Sequence, residues 1–180
     1  MSADYKKFVE LTQRIGRDYL DPGNDPWANS PFAWIRKLPS RTVGAIGEKI
    51  VSSWAEERGF SVSRTGDSDA DRLINGHRVE IKFSTLWAGF GGFKFQQIRD
   101  QNYEYCFCLG VSPDSVQAWF IPKRELMRLR PGLSHQHGGS AGQDTYWLAF
   151  EASNPPAWMK PYGGTLYEVE QLIRELGVAN

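Results

Sequence analysis

Residues 69–83 read DADRLINGHRVEIKF, and the fold turns on the pair at their centre, Asn75-Gly76. Asn-Gly is the dipeptide that best accepts the two positive φ angles of a type I′ turn, so two antiparallel strands should meet there in a tight hairpin. With Ile74 and His77 closing the loop, Leu73 lies opposite Arg78, Arg72 opposite Val79, Asp71 opposite Glu80 and Asp69 opposite Lys82. Side chains alternate along a strand, which puts Asp71, Glu80, Lys82 and Asp69 on one face. Val79, Ile81 and Phe83 take the other, and so does His77, which is therefore not expected to act as a general base.

Directly opposed residues have Cβ atoms about 4.5–5.5 Å apart, and like charges at that distance destabilise a sheet unless something offsets them. A divalent cation does so. Mg²⁺ takes one or two carboxylates and keeps several waters, so Asp71 and Glu80 are the right ligand type and number, and Mn²⁺ is expected to substitute. Lys82 can orient a water or stabilise charge building on a phosphate. The plainer alternative is a solvated sheet face on which Asp69–Lys82 is an ordinary cross-strand ion pair worth about 0.2–1 kcal/mol. An isolated E-x-K triplet would favour that alternative. Here the triplet is set in an apolar alternation and faces an aspartate through a turn-defined register, which favours the metal.

Upstream, Tyr5, Phe8, Leu11, Ile15 and Tyr19 recur at spacings of three and four, the stripe of an amphipathic helix that should pack one side on the core. Residues 21–41 hold four prolines and read as a wrapping loop with Trp27 and Trp34 as anchors. From Val43 to Gly59 a helix is expected, with Ile46, Ile50 and Trp54 on its buried stripe, Glu48 on its flank and Gly59 as the terminating C′ residue. Strands are predicted at FSVSRT, DRLIN, HRVEIKF, YCFCLGVS and VQAWFIP, with a helical piece around FQQIRDQN between the third and fourth. DTYWLAF is a further strand, NPPAWMKPYGG a Pro-rich turn, and TLYEVEQLIREL a closing helix with Leu166, Val169, Ile173 and Leu176 on one side.

The 180 residues fit one domain, divided into an N-terminal helix and loop (1–42), a core (43–121) and a C-terminal extension (122–180). Lys plus Arg equal Asp plus Glu at 21 each, so any nucleic-acid site must be a local basic patch. Cys106 and Cys108, the only cysteines, cannot build a disulfide framework or a four-cysteine zinc site and are expected as buried thiols in a reducing cytoplasm. No apolar stretch approaches the roughly 18 residues of a membrane span, so a soluble cytoplasmic protein is expected, with no membrane partner.

GEKI on the helix, Asp71 at the start of one strand and EIK on the next resemble the PD-(D/E)XK nuclease superfamily, over roughly residues 43–121. The resemblance implies an α/β fold with an αβββαβ core, its mixed central sheet flanked by helices, as in type II restriction endonucleases and DNA repair nucleases. It makes Asp71 and Glu80 metal ligands together with the backbone carbonyl of Ile81, Lys82 the catalytic lysine, and Glu48 the acid supplied by the first core helix. Gln97 or Gln96 would be the glutamine that supports the site, and QNYEY (101–105) is a weaker match to an exonuclease-like Q-x-x-x-Y. The proline that names the motif is absent, since Ala70 precedes Asp71, and Asp69 competes for the aspartate role.

Among the cations Lys94, Arg99, Lys123, Arg124, Arg128 and Arg130, we expect DNA contacts from Lys94, Arg99, Lys123 and Arg124. Trp87, in the glycine- and aromatic-rich STLWAGFGGFKF, is expected to enter a groove or stack on bases, unless that segment simply closes the core. His135 and His137 lack a second pair at zinc spacing, and His137 is taken as a DNA contact. The expected function is a Mg²⁺-dependent endonuclease for double-stranded DNA, of restriction type, acting as a homodimer beside a cognate methyltransferase. Alternatives are a nicking or catalytic subunit with a separate recognition protein, and a noncatalytic DNA-binding or interaction module.

Overall fold

The computed structural model describes residues 3–19, 25–87, 89–128, 131–135 and 145–179. Asn75 and Gly76 both adopt positive φ, 51° and 83°. They join strands β2 (Arg72–Ile74) and β3 (His77–Thr85), and the predicted register holds: Ile74 pairs with His77, Leu73 with Arg78 and Arg72 with Val79. Strand β1 (Val62–Ser63) pairs with β2 on the outer side.

Beyond the hairpin the chain forms β4 (Gly92–Ile98), β5 (Tyr105–Val111), β6 (Val116–Pro122), β7 (Leu133–His135) and β8 (Tyr146–Glu151). The central sheet has the order β1-β2-β3-β5-β6. It is mixed, because β3 and β5 run parallel while β5 and β6 are antiparallel. A parallel pair needs a crossover. The expected crossover helix at FQQIRDQN is instead the end of strand β4, up to Ile98, and an irregular stretch over 99–102; β4 leaves the central sheet and pairs with β8 in a second sheet ordered β4-β8-β7. The reason lies in the alternation Phe93-Lys94-Phe95-Gln96, whose phenylalanines are fully buried against Trp119 and Phe150. The second helix of the αβββαβ order is thus replaced by a strand.

Both faces of the central sheet are apolar. Val79, Ile81, Phe107, Leu109 and Phe120 pack in one cluster with Val51 and Ala55 of helix α2 (Ser40–Glu57) and with Val169 and Ile173 of helix α4 (Leu166–Leu176). Cys106, Cys108, Trp119 and Ile121 point the other way, into a cluster with Phe93, Phe95 and Leu148 of the second sheet. The layers are therefore helices, mixed sheet, second sheet. A short helix, α3 (Lys123–Leu126), follows β6. Helix α4 begins with a reciprocal cap in which Thr165 Oγ1 accepts from Glu168 N–H and the Glu168 carboxylate accepts from Thr165 N–H. Its buried side is the predicted one.

Two helix faces differ from expectation. Helix α2 buries Gly47, Val51 and Ala55, one residue on from the predicted Ile46, Ile50 and Trp54. Small residues let its backbone approach β3 so closely that a Cβ on Gly47 would sit 2.2 Å from Phe83 Cβ. Gly59 does terminate the helix, at φ 81°. Helix α1 (Ala3–Tyr19) forms, but Tyr5, Phe8, Leu11 and Ile15 are exposed, Phe8 by 65%, so its stripe is not covered by the core. In the wrapping segment Trp27 is 2% exposed and Trp34 53%, so only the first is an anchor. Trp27 is fixed by its N–H to Asp25 Oδ1 and by the Arg36 guanidinium 5.0 Å from its ring. Among the described residues no helix is long and apolar enough to cross a membrane.

Candidate active site

The β2–β3 ladder ends at Arg72, and Asp71 departs from the simple cross-strand pair. Its N–H donates to Val79 O at 3.1 Å, and its carboxylate Oδ2 accepts the Ile81 N–H at 2.7 Å. The side chain thereby replaces the strand that would have bonded to this stretch of β3. N–H and C=O of one strand residue leave on the same edge, so the Ile81 carbonyl faces the gap left by β2.

Glu80 is buried, 7% exposed, and its Oε1 lies 2.6 Å from Lys82 Nζ. The negative charge of Asp71 acts on Glu80 as well. Burial raises the Glu80 pKa, Lys82 pulls it down and Asp71 pushes it up, with a net rise. Burial acts on Lys82 in the opposite sense, lowering it, but the charge and hydrogen bond of Glu80, with the charge of Asp71 adding to them, outweigh that and the net shift is upward. Lys82 is therefore an ammonium at neutral pH. Glu48, from the third turn of α2, joins the group: burial raises its pKa first and Asp71 second, against Arg72 and Lys82. Arg72 braces it, with Nη1 3.5 Å from Glu48 Oε2 and Nε donating to Ser52 Oγ at 3.1 Å.

Glu48, Asp71, Ile81 and Lys82 open on a cleft of about 850 Å³, with Glu80 behind them. Its walls carry Arg36 and Arg41 on one side and Trp87, Lys94, Gln96 and Gln97 on the β3–β4 side. Lys94 Nζ stands 4.4 Å from the Trp87 ring centroid and 5.4 Å from that of Phe90.

The donor set can be tested against Mg²⁺. Among the described residues no three acidic, histidine or cysteine side chains converge into a cage of their own. Mg²⁺ does not require one, since it is held by one or two carboxylates and keeps its waters. Asp71, Glu80 and the Ile81 carbonyl are hard oxygen donors of the right kind, and the raised pKa values of Glu48 and Glu80 mark acidic charge that their surroundings leave undercompensated. The residues fit the ion.

The other sequence-predicted residues scatter. Asp69 sits in the bend before β2, where its N–H donates to Asp67 Oδ1 and its charge acts on Arg78; it makes no pair with Lys82. Gln97 lines the cleft, from a strand rather than a helix. The Q-x-x-x-Y pair lies elsewhere, with Gln101 O accepting from Lys123 Nζ and Tyr105 stacked on Phe120 at 4.6 Å. Lys123 is held by Asp100 at 2.6 Å, while Arg99 and Arg124 are exposed outside the cleft lining. His137 and Arg130 lie outside the described residues, and His135 is on β7 beside Tyr146. Arg36, Arg41 and Arg72 were not foreseen. RKLPSR (36–41) concentrates three cations in six residues, a signal that could have flagged the first two.

No family model matches the chain, and no curated protein matches it. Among solved structures it is similar to a bacterial homing endonuclease, I-Ssp6803I, at 14% identity and a TM-score of 0.49, over 78% of this chain and 95% of that one. A likeness that slight bears on neither chemistry nor substrate.

Proposed function

We propose that the chain is a metal-dependent endonuclease hydrolysing phosphodiester bonds of double-stranded DNA. The observation that supports this best is the convergence of Glu48, Asp71 and Lys82, the last paired with the buried Glu80, on a cleft also lined by Arg36, Arg41 and Lys94. Asp71, Glu80 and the Ile81 carbonyl would hold Mg²⁺ or Mn²⁺, which supplies a Lewis acid and a nucleophilic water near neutral pH. Lys82, protonated and largely buried, adds a fixed positive charge for the oxygen charge that grows in the transition state. It is an electrostatic stabiliser rather than a base. Glu48, braced by Arg72, is placed to accept a hydrogen bond from a water at the cleft floor. Arg36, Arg41 and Lys94 are available to phosphate oxygens.

The proposed biological role is restriction, by a homodimer reading a palindrome beside a cognate methyltransferase. The test is incubation with plasmid DNA in Mg²⁺, with EDTA and with Asp71→Asn and Glu80→Gln. Discrete metal-dependent fragments lost in both variants are expected. Open circles alone would indicate a nicking subunit, and binding without any cutting an interaction module. A thermal melt adds a second readout: Mg²⁺ or Mn²⁺ should raise the Tm of the wild type and not of either variant.

A further inference from the structure

Strand β4 breaks its own alternation beside the cleft. Phe93 and Phe95 are buried, and Lys94 and Gln96 face the cleft, so in a regular strand Gln97 would turn towards the core. It does not. Between Phe95 and Ile98 the register against β8 shifts from Leu148 to Tyr146, so β4 carries one extra residue there. That residue is accommodated by Gln97 at φ 56°, and among the described residues only Asn75 of the hairpin turn shares a positive φ without being glycine. A left-handed conformation is uncommon for glutamine, and bulges beside active sites re-aim side chains. As a result two consecutive glutamines line the cleft, and Ile98 returns to the core fully buried.

We infer that Gln96 and Gln97 are specificity-determining residues that read a base edge of duplex DNA, with adenine in an A·T pair as the matching chemistry. This rests on the nuclease reading for the identity of the polymer. A glutamine amide sets a donor beside an acceptor, the complement of adenine N6–H and N7 in the major groove, and that groove admits a β-ribbon. Lys94, two residues before Gln96 and held against Trp87, supplies a cation on the same face for the neighbouring backbone. The carboxylates and Lys82 remain the chemical centre, and Gln97 takes a reading role rather than the supporting role in catalysis expected from the sequence.

The test is selection of bound duplexes from a randomised pool, without Mg²⁺, by the wild type and by Gln96→Ala, Gln97→Ala and Gln97→Gly. Gln97→Gly removes the amide while suiting the backbone, so it separates side chain from bulge. The wild type should enrich a motif containing at least one A·T pair. Each variant should lose preference at such a pair by about 10-fold while keeping its affinity for generic duplex. A wild type that enriches no motif, or variants that enrich the same motif, would overturn the inference. A motif duplex bound but left uncut in Mg²⁺ would instead sink the nuclease reading and leave the base reading standing.

Discussion

Lys82 and Glu80 depend on each other. Breaking a buried ion pair by removing one partner costs about 3–5 kcal/mol, because the other charge stays buried. Lys82→Met leaves Glu80 with burial and Asp71, both of which raise its pKa, and without the ammonium that lowers it. A carboxyl whose folded pKa lies above its unfolded value favours folding fully below the unfolded pKa and loses that contribution as pH rises through the folded one. The deficit of Lys82→Met against wild type should therefore be small at pH 4 and grow towards about 3 kcal/mol at pH 8, read by urea denaturation without metal. Lys82→Met with Glu80→Met should recover most of it. An equal deficit at both pH values would mean that the pair is solvated and the site differently built. Cleavage should fail in both variants.

At the scale of elements, the position of α2 decides whether Glu48 reaches the site, and Gly47 decides the position of α2. Alanine there gains helix propensity of up to about 1 kcal/mol. Its Cβ, however, would meet Phe83 Cβ at 2.2 Å and Cγ at 2.6 Å, atoms close to the β3 backbone that cannot swing aside. Overpacking of this kind costs about 1–3 kcal/mol, so Gly47→Ala should be destabilised by about 1–2 kcal/mol net and lose cleavage activity as Glu48 is pushed away. Gly44→Ala is the control: its Cβ meets nothing within 4 Å and should stabilise the helix by about 0.5–1 kcal/mol in the same melt. The same helix shows what was legible in the sequence. Its existence and its Gly59 stop could be read, but apolar spacing pointed to Ile46 and Ile50, because burial here goes to small side chains that earn close backbone approach rather than to large ones. The hairpin was readable because Asn75-Gly76 fixes a turn by local backbone sterics, and with it came Asp71, Glu80 and Lys82. Strand β4 was not, since its period-two signal breaks at the bulge and its Gln-Gln-Ile-Arg run carries helix propensity. Asp71 leaving the ladder to bond Ile81 could not be read from a pairing rule at all.

For the whole molecule, a formal net charge of zero and a pI near 6.8 rule out long-range steering of a polyanion, so the proposed DNA affinity would have to come from a local basic patch such as the cleft walls. Lys94 could be singled out in the sequence, but not its meeting with Arg36 and Arg41, which precede or begin α2, while Lys94 lies on a strand some fifty residues later. Lys82 is committed to Glu80 and Arg36 has Asp25 at 3.6 Å, so the cleft cations that can displace counterions are Arg41 and Lys94, joined by Arg36 where a phosphate displaces Asp25. Each phosphate neutralised contributes about −0.9 to the slope of log K against log salt concentration, so three predict a slope of about −2 to −3. Between 50 and 200 mM salt that amounts to a loss of roughly 40-fold in affinity, measurable by fluorescence anisotropy on a labelled duplex without Mg²⁺. Arg41→Ala should make the slope shallower by about 1 and weaken binding equally on unrelated sequences, as a phosphate contact does. A wild-type slope near zero would remove the cleft as the DNA site. A slope steeper than about −5 would require cations beyond its walls.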